Sequence, residues 1–119
     1  MAEIILDNYS ACYEYGRLAA LGELDAGRAA LKAATETGMD YGSAQIYTRC
    51  VRAMFEGERF TGTVKESAMR YFLIEIFGEF GCEGLRKALQ SVKQYLEYQR
   101  KYNSMNCIQD LYDEFIEYI

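Results

Sequence analysis

Two successive runs between Thr63 and Tyr102 place apolar residues at three- and four-residue intervals, the spacing that lines one face of an α-helix. In the first run Ala68, Met69, Phe72, Leu73, Ile76 and Phe80 form the stripe, while Lys65, Glu66, Arg70, Glu75 and Glu79 take the other side. Thr63 stands three residues before Glu66, which is capping-box spacing and predicts the helix start. Gly81 is expected to end the run in a left-handed conformation, where a β-carbon would clash. In the second run Leu85, Ala88, Leu89, Val92, Leu96 and Gln99 form the stripe, opposite Arg86, Lys93, Glu97 and Arg100. A hinge as short as Phe80-Gly81-Cys82 predicts antiparallel neighbours.

The same periodicity organises the rest of the chain. Asp7 is a candidate N-cap for a helix reaching Gly22, with a short, unpartnered strand over residues 4–6 as an alternative for what precedes it. An alanine-rich helix from about Asp25 to Thr37 is expected to turn Leu24, Gly27, Leu31 and Ala34 inward and to stop at Gly38. A third helix, starting near Asp40 or Ser43, presents Ala44, Tyr47, Val51, Met54 and Phe55 to the core. Phe60 is expected to pin the loop between Gly57 and Gly62. The last helix, capped at Asn106 with a reciprocal contact from Gln109, has the cleanest stripe: Ile108, Leu111, Tyr112, Phe115 and Ile119. These patterns predict an all-α bundle of about six helices in a single domain spanning residues 1–119. Its core should be centred on Phe72, Ile76, Leu89, Val92, Leu111 and Phe115.

Composition narrows the chemistry. Half of the 119 residues are apolar or aromatic, enough for one core without disulfides. No window resembles a membrane span, and Glu3 and Asp7 around three apolar residues do not make a signal peptide, so a cytoplasmic location is expected. The four cysteines form no C-x-x-C pair, and burial is their expected role. Cys82 alone is a candidate reactive thiol, near a predicted helix N-terminus, although Glu83 beside it works against ionisation. The chain has no histidine, which removes the commonest general base and metal ligand. Glu75 and Glu79 form an acidic i, i+4 pair of the kind found on most solvated helices, and no carboxylate-histidine motif completes a metal site. No enzymatic activity, metal or cofactor is therefore predicted.

Charge is distributed unevenly. Residues 1–40 carry seven acids and three bases, residues 41–102 seven and ten, and residues 103–119 four and none, within a net charge of −5. A basic middle thus lies between two acidic ends. Eleven tyrosines exceed what a core of this size can hide, and tyrosine often carries interface energy. The expectation is an acidic protein-binding module, an adaptor or inhibitor, using Asp110, Asp113, Glu114 and Glu117 with Tyr98 and Tyr102. Small antagonists of nucleic-acid-handling enzymes, such as phages and mobile elements carry, use this kind of charge matching. The alternative is nucleic-acid binding through Arg86, Lys87, Lys93, Arg100 and Lys101, with Tyr95, Tyr98 or Tyr102 stacking on a base. A homo-oligomer is compatible with either. A third outcome is that the acidic last helix simply pairs with Arg86, Lys93 or Arg100 in the same molecule, which would leave no charge for a partner.

Overall fold

The computed structural model describes residues 6–99 and 106–119. They form five helices: α1 Leu6–Ala20, α2 Ala26–Thr37, α3 Tyr41–Glu56, α4 Glu66–Gln99 and α5 Asn106–Ile116. No strand occurs among the described residues. Residues 4 and 5 of the alternative strand lie outside them, and Leu6 opens α1, which places Asp7 in the first helical turn instead of at the cap. The caps of the next two helices match the sequence. Asp25 accepts the Arg28 N–H and Asp40 the Ser43 N–H, while Gly38 and Gly57 close α2 and α3.

Six helices were expected and five are present because the two central runs form a single element. At 1.5 Å per residue a straight α4 would measure about 51 Å, yet the longest dimension of the fold is 35 Å. The break is at Gly81, whose φ of 65° and ψ of −153° are non-helical. That ψ is far from the left-handed helical value expected for a C-cap, and the combination is essentially restricted to glycine. Two arms, 66–80 and 82–99, fold back on each other as an antiparallel pair. Gly84 makes the close return feasible, since a β-carbon there would lie 2.5 Å from Phe80 Cβ.

The start of α4 also differs from the sequence expectation. The first helical hydrogen bond runs from Met69 N–H to Lys65 O, so the helix begins at Glu66 and the Thr63 capping box does not define it. Two buried tyrosines serve instead. Tyr47 accepts the Lys65 N–H, and Tyr95 accepts the Val64 N–H. Phe60 pins the preceding loop as expected, stacked at 4.3 Å on the Tyr95 ring. Much of the tyrosine surplus is thereby explained: Tyr9, Tyr13, Tyr47 and Tyr95 are core residues with their hydroxyls engaged in, or directed toward, polar partners at the rim.

All six predicted core residues are at most 4% exposed. The core also takes in Val51 and Met54, on the expected face of α3, with Cys12 and Cys50 between α1 and α3. On α2 the expected face is wrong. Ala29, Ala30 and Ala33 are buried and Leu31 is 56% exposed. Small side chains let α2 lie close to α1 and α3, and leucine would hold the backbones apart. Phe80 is a second correction: it is 44% exposed and meets the edge of Phe55 at the elbow.

Burial holds for two of the four cysteines. Cys12 and Cys50 are enclosed beside Met39 and Met54, whereas Cys82 and Cys107 are exposed. Burial pushes the Cys12 thiol from its ordinary 9.0 to about 12 and raises Cys50 well above that ordinary value. Above pH 9 an unfolded chain would release these protons while the fold retains them, so unfolding gains free energy as pH rises. Stability is therefore full below about pH 9 and declines toward pH 12. Thermal melts across that interval should show the decline, and Cys12→Ala should make it shallower; a flat profile would contradict the burial argument.

Candidate interaction surface

α5 is an amphipathic helix that, among the described helices, packs on α4 alone. Ile108, Leu111 and Phe115 are buried, and the acids Asp110, Asp113, Glu114 and Glu117 are exposed. The four acids are not equivalent. Glu114 receives two hydrogen bonds from Arg70, at 2.7 and 2.9 Å, and the same guanidinium lies over the Phe115 ring. A fork of this kind fixes both partners, and Arg70 holds the Glu114 carboxyl below the usual carboxylate range. Arg70 also reaches Glu66, so its charge is already shared. Glu114 thus anchors α5 to the first arm, and that role replaces the one expected for it in the open row.

Asp110, Asp113 and Glu117 have no basic partner among the described residues. Asp113 accepts a bond from Gln109 at 2.9 Å, and the cap side chain expected at Asn106 lies outside the described residues. No pair joins these acids to Arg86 or Lys93. Arg100, Lys101 and Tyr102 lie outside the described residues. The charge of the last helix is therefore only partly matched within the described fold, by Arg70, a residue that sequence periodicity assigns simply to a solvated face.

Arg86, Lys87 and Lys93 are exposed on the second arm, without a carboxylate partner among the described residues. The arm has two distinct flanks. Ser91 donates to Glu58 O and Gln94 to Gly57 O, so the Lys87, Gln94 and Tyr98 side borders the loop after α3. Arg86 and Lys93 lie on the other flank, near Leu89 and Leu96. Tyr95 is buried against Phe60 and is closed to a nucleic-acid base. Tyr98 is half-buried, with the Arg59 guanidinium 4.7 Å above its ring.

The expected grouping of the acids with Tyr98 is also divided by geometry. Cys82 Sγ lies 3.4 Å from Tyr118 O, which puts the end of α5 at the elbow. Tyr98 stands about 24 Å further along the second arm, at 1.5 Å per residue. The tyrosine that does accompany Glu117 is Tyr118, which is 55% exposed and packs on Phe77 and Phe115. The same elbow carries exposed Phe80 and a groove of about 340 Å³ lined by Leu21, Phe55, Ile76 and Phe80, with Glu83 and Lys87 among its polar residues. Leu21 and Phe80 join this site only through the fold, since Leu21 follows the end of α1, Phe80 belongs to α4, and Phe80 sits on a predicted core stripe. Exposed Tyr118 is legible from the periodicity of α5, but no sequence signal connects it to the elbow.

Other chemistry is sparse. Glu79 accepts the Tyr13 hydroxyl, and Glu75 is hydrogen-bonded to Tyr71, so this carboxylate pair faces tyrosines. Desolvation, followed by the Glu79 contact, raises the Tyr13 pKa. No group of three or more potential metal ligands occurs among the described residues, and none of their helices is long and apolar enough to cross a membrane. No family model, curated protein or solved structure matches the chain.

Proposed function

We propose that the chain acts by binding another protein, as an adaptor or inhibitor, through the outward crest of α5 and the apolar residues beside it. The observation that supports this reading is the unequal fate of the acids: Glu114 is used internally, while Asp110, Asp113 and Glu117 remain exposed without a base among the described residues. Unmatched like charge contributes little to a fold, but it accelerates encounter with a basic surface. Ile116 and Tyr118 add exposed apolar area next to it, of the sort that slows dissociation. A surface built to hold nucleic acid is one basic partner of suitable chemistry, which accommodates an antagonist of a nucleic-acid-handling enzyme.

Affinity capture from the source cells, with and without nuclease, followed by binding kinetics on the captured partner, tests the proposal. Asp113→Lys combined with Glu117→Lys should slow association, reduce its salt dependence and leave the melting temperature unchanged or slightly raised. Glu114→Lys should instead lower the melting temperature, because it opposes Arg70. An unchanged association rate for the double variant would exclude the crest as the binding surface. A second reading, nucleic-acid binding, draws on the exposed Arg86, Lys87 and Lys93, which have no carboxylate partner among the described residues. Failure to shift single- and double-stranded oligonucleotides at low salt would remove it.

A further inference from the structure

The acidic crest of α5 and the basic flank of the second arm lie side by side. Glu114 and Tyr118 meet the first arm through Arg70 and Phe77. At about 100° per residue Tyr112 and Ile116 then belong to the opposite flank of α5, toward the second arm, and the unpaired acids ride between the two flanks. On the second arm, Ser91 and Gln94 face the loop after α3, so Arg86 and Lys93 border the other side, toward α5. The face consequently carries an acidic stripe and a basic stripe, with the 36% exposed Ile116 between them.

The two stripes are also in register. α5 runs along the first arm in the same direction, from Glu114 beside Arg70 to Tyr118 beside Phe77, and is therefore antiparallel to the second arm. The contact of Cys82 Sγ with Tyr118 O sets the level at the elbow. Counting away from it, Arg86 comes level with the turn between Asp113 and Glu117, and Lys93 falls about 4.5 Å beyond the level of Asp110, three residues at 1.5 Å each. Asp110 to Glu117 and Arg86 to Lys93 both span about 10.5 Å, seven residues of helix. Within one molecule no ion pair joins them.

From this arrangement we infer that the surface fits a second copy of the chain. A two-fold axis running between the stripes, parallel to them, would exchange them and bring Arg86 of each copy to Asp113 and Glu117 of the other, with Lys93 near Asp110. Each contact occurs twice, as a closed isologous interface requires, and the Ile116 side chains meet near the axis. Charge complementarity at matched spacing favours a second copy, whose basic stripe meets the crest while its own acids meet Arg86 and Lys93. This inference rests on the crest being the binding surface proposed above, and names its partner.

Sedimentation velocity over a concentration series at low salt provides the test. The wild-type chain should move from the 13.7 kDa monomer to twice that mass, and added salt should reverse the shift. Asp110→Lys with Glu117→Lys makes both stripes basic, and Arg86→Glu with Lys93→Glu makes both acidic. Each variant alone should remain monomeric, while an equimolar mixture should recover the dimer, a rescue that misfolded variants could not give. A wild-type chain that stays monomeric throughout overturns the inference, as does a wild-type dimer whose variant mixture remains monomeric. If self-association fails but a captured partner still responds to Asp113→Lys with Glu117→Lys, the binding reading stands and only the second copy is excluded.

Discussion

Truncating Phe72 to alanine is expected to destabilise the protein by about 3 to 5 kcal/mol, a large part of the stability of an ordinary domain. The residue is fully buried, and its ring lies about 6.5 Å from the rings of Tyr9, Tyr13 and Tyr47, with Tyr71 at 6.2 Å. It therefore joins α1, α3 and the first arm of α4 at one point. The cost combines the lost transfer energy of the ring with the cavity that remains, and three helices converging on the site cannot all move inward to fill it. Chemical denaturation should show a lower midpoint with a near-constant slope. A midpoint close to that of the wild type would mean that the aromatic cluster is not the centre of the fold. Phe115→Ala should be similarly costly, but its effect should concentrate on α5, which among the described helices is held by α4 alone.

Gly16→Ala is expected to cost about 1 to 3 kcal/mol, although alanine is the better helix former. A β-carbon at position 16 would lie 2.7 Å from Val51 Cβ and 2.9 Å from Thr48 O. Neither neighbour can easily retreat. Val51 is buried on α3, and Thr48 O belongs to the helix backbone. Relief requires α1 and α3 to separate, which would loosen the packing of Cys12 and Tyr13 on either side. Combining Gly16→Ala with Val51→Ala should recover only part of the loss, since Val51 Cγ1, 2.9 Å from the added β-carbon, would be removed while the Val51 Cβ and Thr48 carbonyl contacts would remain. The measurement is the melting temperature of the two single variants and the pair. If Gly16→Ala proved neutral or stabilising, the close approach of α1 and α3 would be in error.

Helical periodicity, cap chemistry and the strongest apolar stripes determined the helical class, the boundaries of α2 and α3, the elbow at Gly81 and the centre of the core. These are properties of consecutive residues: a stripe, an Asp at a helix start or a glycine at a helix end acts within a few residues of itself. Tertiary structure decided the remainder. It chose alanines over leucine for the buried face of α2, because the separation of two backbones depends on both helices. It assigned Tyr47 and Tyr95 to the entry of α4, where local spacing pointed to Thr63 and Glu66, because hydroxyls distant in sequence reach the Lys65 and Val64 N–H groups just ahead of the helix. It took Glu114 out of the acidic row by bringing Arg70 to it across 44 residues of sequence, and left Asp110, Asp113 and Glu117 exposed. Charge along the chain is counted by position, but its pairing depends on distance in space, and only the folded arrangement of α4 and α5 sets that distance.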